Sequence, residues 1–105
     1  ASFLAVLKRM GESNPAPMSF PTAGWTLTLD IAAGARGLPE LLSAVDTVVL
    51  DAGGRHYLAK DAHVSPGAVR KGYDRFEEWK TIRNEMDPTG VWKSDLGRRL
   101  GLVDP

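Results

Sequence analysis

The chain has 105 residues, of which 43% are hydrophobic and 25% are charged, proportions typical of a globular domain. Thirteen basic and thirteen acidic residues leave no net charge, so the composition argues against nucleic acid or an anionic membrane as a partner. The lack of cysteine excludes disulfides and thiolate metal sites, and no apolar run approaches the ~20 residues that span a bilayer.

The first half of the chain predicts two strands and a helix. Ser2–Met10 is apolar and then basic, which is typical of a strand covered on both sides. Residues 11–24 are rich in proline and glycine and form a loop. In residues 25–31 apolar and polar side chains alternate, which predicts a strand with one dry and one polar face. Helical spacing then runs from Leu38 to Ala52, and Gly53-Gly54 ends the helix.

The second half predicts a strand and two helices. Tyr57–Lys60 reads as a third strand, and Ser65 caps a long helix that reaches Met86. A short final helix follows over residues 91–102, and the three tryptophans are core residues by default. The long helix carries one apolar stripe, made of Val69, Tyr73, Phe76, Trp79, Ile82 and Met86.

The element order is therefore β-β-α-β-α with a helical tail, an α+β fold in which an antiparallel sheet is packed by helices. A three-stranded sheet with a polar face is incomplete by itself, so the missing strands are expected in sequence beyond this chain. The start at Ala1, without methionine, is typical of a cut inside a longer protein.

Chemistry is expected at two places. If the first two strands pair antiparallel, Lys8 lies beside Thr26 and Thr28, a set suited to an anionic or polyhydroxyl ligand. The alternative is a solvated face on which threonine serves β-propensity. Lys60 is either a cation aimed into a pocket or a surface partner of Asp61, worth ~1 kcal/mol or less. Tyr57 is either a ligand contact or a core residue with a satisfied hydroxyl.

Other site types find little support in the residues. His56 and His63 have no third ligand at a metal-site spacing, so no metal is expected. Neither histidine has an apparent nucleophile partner, which argues against a Ser-His-Asp set. Residues 34–37 precede a helix but lack both the Rossmann and the P-loop patterns.

Five sequence blocks in order resemble the C-terminal part of FAD-dependent oxidoreductases of the vanillyl-alcohol oxidase superfamily, nearest to its decaprenylphosphoryl-ribose oxidase branch. The resemblance covers nearly all of this chain but only about the last quarter of such an enzyme. The blocks are Phe3–Lys8, Ala16–Pro21, Gly24–Asp30, Gly53–Asp61 and Ser94–Leu100.

The resemblance implies a two-domain flavoprotein. Residues 1–54 are then the C-terminal part of the substrate-binding domain, and residues 55–105 are the return segment that completes the FAD-binding domain. The glycine loop that holds the FAD pyrophosphate belongs to the N-terminal half, which is absent here. The isolated chain is accordingly expected to hold no FAD and to be inactive.

The resemblance also assigns roles to residues. Lys60 matches the catalytic lysine beside flavin and substrate, and Tyr57 and Ala59 match positions that line the flavin. Lys8, Thr26 and Thr28 match the substrate pocket, the threonines standing where relatives carry asparagine and cysteine. The implied reaction is oxidation of a secondary hydroxyl of a sugar or polyprenyl-phosphoryl sugar, with hydride passing to flavin N5. The protein is expected in the cytoplasm or peripheral to the membrane.

Two other readings remain open at this point. The chain is either an autonomous small α/β binding or regulatory module, or a structural fragment that self-associates through its exposed sheet edge when isolated. The first requires a natural start near residue 1 and a complete sheet.

Overall fold

The computed structural model describes residues 2–105; for Ser2 and Phe3 it describes the backbone alone, and Ala1, at which the sequence begins, lies outside the described residues. Two antiparallel strands precede four helices, which confirms the predicted α+β class. The elements are β1 (Ser2–Met10), β2 (Gly24–Ile31), α1 (Leu38–Asp51), α2 (Pro66–Gly72), α3 (Phe76–Met86) and α4 (Asp95–Arg99).

β1 and β2 form a hairpin whose apolar side chains stay largely exposed. Leu7, Trp25 and Leu27 are 64%, 67% and 58% exposed. The alternation predicted for β2 is present, but the prediction that β1 is covered on both sides is wrong. The reason is that the sheet has two strands in the part of the chain that is described, so its apolar face meets solvent.

The predicted third strand is also wrong. Tyr57–Lys60 is a turn, in which the Lys60 amide donates to the Tyr57 carbonyl at 3.3 Å. The preceding carbonyl, that of His56, accepts from the Tyr73 hydroxyl at 2.6 Å. A strand needs a neighbouring strand whose amides bond its carbonyls. Here the Tyr73 hydroxyl bonds the His56 carbonyl instead.

The predicted long helix from Ser65 to Met86 is broken into α2 and α3. Ser65 caps α2 as predicted, its hydroxyl accepting from the Ala68 amide. Tyr73 then adopts an extended backbone, with φ −111° and ψ 93°. A Cβ at Gly72 would lie 3.3 Å from Arg55 Cα, a tight contact, so glycine favours this close approach of the two segments. The break turns the Tyr73 side chain into the core.

The core lies among the helices of the second half of the chain. Leu50 of α1 and Met18 of the long loop pack against it, partly buried, as do Leu58, Trp79 and Leu102. The apolar stripe predicted for the long helix is not buried along its last part, since Ile82 and Met86 in α3 are 47% and 82% exposed. The buried apolar residues are Val64, Ala68, Val69, Tyr73, Phe76 and Leu100.

Two of the three tryptophans predicted as core are exposed. Trp25 lies on the uncovered hairpin face, and Trp92 is 81% exposed in a loop before α4. Asp87 holds that loop by accepting from the Trp92 amide at 2.9 Å, and Arg83 donates to the Trp92 carbonyl at 2.7 Å. Backbone contacts thus place Trp92, so its ring needs no burial. Trp79 alone approaches the core, with its ring centre 5.7 Å from that of Phe76.

Helix α1 ends where the two glycines predict. Gly53 has φ 76°, a left-handed conformation that glycine adopts without strain, and its amide donates to the Leu50 carbonyl. The chain then turns from α1 into the segment that carries Tyr57 and Lys60. The final helix α4 is shorter than predicted, five residues within the predicted 91–102.

Candidate functional site

The hairpin brings Lys8, Thr26 and Thr28 to one face. In the observed register Lys8 lies opposite Thr26, and Thr28 lies opposite Val6. Directly paired residues of an antiparallel ladder point to the same side, so an ammonium and two hydroxyls share a surface. The antiparallel pairing predicted for these strands is thereby confirmed. Lys8 is exposed and both threonines are partly buried.

The turn Tyr57–Lys60 carries the second set. Tyr57 is 49% exposed and its ring centre lies 5.1 Å from that of Phe20 in the long loop. Of the two alternatives for Tyr57, the core residue is therefore wrong, since about half of the side chain is exposed. Ala59 and Lys60 are exposed on the same turn. The surface thus presents an aromatic ring, a small side chain and a cation together.

Lys60 does not pair with Asp61, although the two are adjacent. The Asp61 carboxylate accepts from the His63 and Val64 amides and from Arg99, at 3.0–3.1 Å. Burial alone would raise the pKa of Asp61, but these hydrogen bonds and the guanidinium hold it below 3.8. Within residues 2–105, Lys60 has neither an ion pair nor a side-chain hydrogen bond. Its ammonium is available to a ligand.

Arg55 and Tyr73 make a second set of contacts that holds the segment before the turn. Arg55 donates to the Ser19 carbonyl at 2.9 Å and lies 5.3 Å from the centre of the Tyr73 ring. Burial raises the pKa of Tyr73 to about 12, with Arg55 acting in the opposite direction. The Tyr73 hydroxyl therefore stays protonated and donates to the His56 carbonyl. Loop and turn are joined to α2 through these contacts.

A polar cluster that sequence reasoning missed joins α1 to the same segment. Asp46 Oδ1 lies 2.8 Å from His56 Nε2, and Asp46 Oδ2 lies 4.0 Å from His63 Nε2. Ser43 Oγ lies 3.2 Å from that same His63 nitrogen. His63 thus has a serine hydroxyl beside it, a partner that was not apparent in the sequence. The geometry is not that of a proton relay, which needs the carboxylate on Nδ1 and the hydroxyl on Nε2.

The two candidate sets remain separate surfaces. No hydrogen bond or ion pair links Lys8, Thr26 or Thr28 to the turn within the part of the chain that is described. Among the same residues, no three histidine or acidic side chains come together as a metal site. The longest described helix, α1, has 14 residues, and no helix there is long and apolar enough to cross a bilayer.

One protein family and two relatives are similar to this chain. The D-arabinono-1,4-lactone oxidase family matches residues 35–100, more than half of the chain. The chain is 44% identical over 102 residues to decaprenylphosphoryl-beta-D-ribose oxidase of Mycolicibacterium smegmatis, covering 97% of this chain and 22% of that protein. It is 43% identical over 97 residues to an uncharacterized Streptomyces coelicolor protein encoded in the mprA 5' region, covering 92% of this chain and 26% of that protein. The chain thus spans about a quarter or less of these relatives' lengths.

Proposed function

Because the chain belongs to the D-arabinono-1,4-lactone oxidase family, we propose that the longer protein carrying it is an FAD-dependent oxidoreductase. The observation that supports a site in this chain is the exposed turn that carries both Tyr57 and Lys60, whose ammonium has no partner among residues 2–105. We assign residues 1–54 to its substrate-binding domain and residues 55–105 to the segment that completes its FAD-binding domain. The fully buried apolar residues among those described lie between Val64 and Leu100, in the second part, and Met18 and Leu50 of the first part pack against them.

The turn residues fit a flavin ring. About half of the Tyr57 side chain is exposed, so its ring can contact a flat ligand ring. The Ala59 side chain is too small to keep such a ring away. Lys60 offers a positive charge with no carboxylate partner in the described chain. When bound, the flavin supplies a two-electron acceptor that takes the substrate's hydride at N5. Its pyrophosphate is held by residues outside this chain.

Lys60 is the proposed catalytic residue. A fixed ammonium donates a hydrogen bond to the oxygen of the hydroxyl being oxidised and so orients the reacting C–H bond, while the hydroxyl proton passes to solvent water. The same charge stabilises negative charge that develops nearby, an effect that is strongest where water is excluded. Tyr57 positions the flavin ring by contact and does not transfer a proton in this scheme.

The hairpin face is the proposed substrate surface. Lys8 suits a phosphate, and the hydroxyls of Thr26 and Thr28 can donate to or accept from sugar hydroxyls. The name of the Mycolicibacterium relative supports a sugar or polyprenyl-phosphoryl sugar as the substrate. The group that we propose is oxidised is a secondary hydroxyl of that sugar. We expect Lys8→Met in the full-length protein to raise KM with little change in kcat, because it removes binding that ground and transition states share.

The first test is the intact mass and visible spectrum of the natural polypeptide. A protein several times heavier than this chain with a flavin spectrum supports the proposal. A colourless protein near 11.4 kDa overturns it and favours a small binding module that self-associates.

The second test addresses Lys60. In the full-length protein, Lys60→Ala should slow flavin reduction by on the order of a hundredfold or more while leaving the unfolding free energy within ~0.5 kcal/mol, since the side chain is exposed. The control is Lys93→Ala, which removes another exposed lysine from the loop before α4 and should change neither. Equal losses of rate and stability for Lys60→Ala contradict the site assignment.

A further inference from the structure

The Lys60 backbone is held from its C-terminal side by one carboxylate. Asp61 follows Lys60 directly, and its side chain is 12% exposed. Its Oδ1 accepts from the His63 amide at 3.1 Å and from the Val64 amide at 3.0 Å. The carboxylate therefore closes the turn that follows Lys60 and sets the direction in which the chain leaves it.

Arg99, 38 positions further along the chain, holds both ends of that turn. Its Nη2 donates to the Asp61 carbonyl at 3.1 Å and to Asp61 Oδ2 at 3.0 Å. Its Nη1 donates to the Val64 carbonyl at 3.1 Å. One planar guanidinium thus makes three hydrogen bonds to a four-residue segment, a geometry that a lysine ammonium cannot reproduce.

The base from which Arg99 reaches is rigid. Arg99 is the last residue of α4, and its neighbour Leu100 is fully buried. Gly97 is buried in the same helix. The Ser94 hydroxyl caps the helix by accepting a hydrogen bond from the Gly97 amide at 3.0 Å. The position of the Arg99 guanidinium is therefore set by the packed helix α4, and its hydrogen bonds in turn fix the position of the segment that follows Lys60.

We propose that Arg99 is a positioning residue for Lys60, acting through Asp61, an inference that rests on the proposed role of Lys60 beside the flavin. The Lys60 side chain has no polar partner of its own in the described chain, so the backbone that carries it decides where its ammonium lies. Catalysis is sensitive to misplacement, since a displacement of about 1 Å can cost about a hundredfold in rate.

Arg98 provides a matched control on the same helix. Its Nη1 pairs with Asp95 at 2.8 Å, and Asp95 is fully exposed. Removal of either arginine changes the net charge equally, but of the two only Arg99 contacts the segment from Asp61 to Val64 that follows Lys60. A difference between the two variants therefore measures the effect of the hydrogen bonds from Arg99 to Asp61 and Val64, and not the effect of the charge of α4.

The test uses the full-length, flavin-loaded protein and sulfite as a probe. Sulfite bonds through sulfur to N5 of an oxidised flavin and leaves a negative charge on the ring, so its dissociation constant reports a nearby cation without any substrate. The variants are Lys60→Met, Arg99→Met, Arg99→Lys, Arg98→Met and the double variant Lys60→Met/Arg99→Met. Bleaching of the visible flavin band gives the dissociation constant for each.

We expect Lys60→Met to weaken sulfite binding by about tenfold or more, from the loss of a fixed charge. Arg99→Met should weaken it by at least about threefold and Arg99→Lys nearly as much, whereas Arg98→Met should change it little. The double variant should be no weaker than Lys60→Met alone, because residues acting through one group are non-additive.

The outcomes separate the two proposals. An unchanged dissociation constant in Lys60→Met overturns the placement of Lys60 beside the flavin. A weakened Lys60→Met together with an unchanged Arg99→Lys, or with losses that add in the double variant, overturns the inference about Arg99 alone. Arg99→Lys keeps the charge and protects the test if Arg99→Met fails to fold.

Discussion

The hairpin and the helical region of this chain differ in what stabilises them. The hairpin is ordered by a ladder of backbone hydrogen bonds, yet Leu7, Trp25 and Leu27 remain more than half exposed. The helical region buries Val69, Phe76 and Leu100 almost completely. Backbone pairing therefore specifies register without burying side chains, whereas the helices gain stability mainly by burial.

The candidate residues divide along the same line. Lys8 and the two threonines depend on register alone, since register decides which face each side chain occupies. Lys60 depends on tertiary contacts, because Asp61, Arg99 and the core beneath hold its turn. Substitutions should therefore act in different ways in the two regions.

The largest effect is expected from Phe76→Ala in α3. Phe76 is 2% exposed at the centre of the core, and truncation of a buried phenylalanine costs about 3–5 kcal/mol. Chemical denaturation of the full-length protein measures the loss. Met86→Ala on the same helix, where the side chain is 82% exposed, should stay within about 0.5 kcal/mol. Similar losses for both variants contradict the core described here.

Tyr73→Phe should have the next largest effect. It leaves the His56 carbonyl without its donor, which costs about 1–3 kcal/mol. The pKa of Tyr73 is raised to about 12, so wild-type stability should hold up to pH 10 and fall between pH 10 and 12, as the unfolded chain ionises first. That fall should be smaller in the variant. Tyr57→Phe, at a half-exposed ring, is the control and should change neither quantity.

Asp61→Asn should flatten the acid limb of the stability profile. The pKa of Asp61 lies below 3.8 in the folded protein, so its contribution is present above about pH 4 and is lost as pH falls through the folded value. The variant keeps a side-chain oxygen for the backbone amides but loses the charge that faces Arg99. Denaturation from pH 7 to pH 2 measures the slope, with Asp74→Asn as the exposed control. Identical slopes in wild type and Asp61→Asn would count against this network.

The smallest effect on folding is expected from Leu27→Lys in the hairpin. In the isolated 105-residue chain the substitution should leave the helical circular dichroism unchanged, because Leu27 is 58% exposed. It should reduce the concentration-dependent association that we expect of the uncovered hairpin, measured by sedimentation. Met86→Lys provides the control on α3. Association that persists in Leu27→Lys places the contact elsewhere.

Much of the local structure follows from short-range signals. Alternation in residues 25–31 predicts β2, and the two glycines after α1 end it where glycine relieves backbone strain. Ser65 caps α2 because its hydroxyl meets an unpaired helical amide. The facing of Lys8 and Thr26 follows once the two strands pair antiparallel, since Lys8 lies near the end of β1 and Thr26 near the start of β2.

The predictions that failed needed information from distant residues. Gly72 is the one local sign of a break near Tyr73, and what it lies against, Arg55 at a distance of 17 positions, cannot be read from the local pattern. The segment from His56 to Lys60 has β-propensity, but Tyr73 takes a carbonyl that a strand would use. No local pattern pairs Asp61 with Arg99, 38 positions away.

By itself, the sequence determined which segments are helical or extended, where the helices are capped and which side chains share the polar face of the hairpin. All of these depend on interactions within a few residues or on the period of two along a strand. The tertiary structure alone decided that Tyr57–Lys60 is a turn and that Asp61 is committed to Arg99. Those outcomes depend on which distant groups compete for each hydrogen bond: the Asp61 carboxylate bonds Arg99, and Lys60 has no polar partner among residues 2–105.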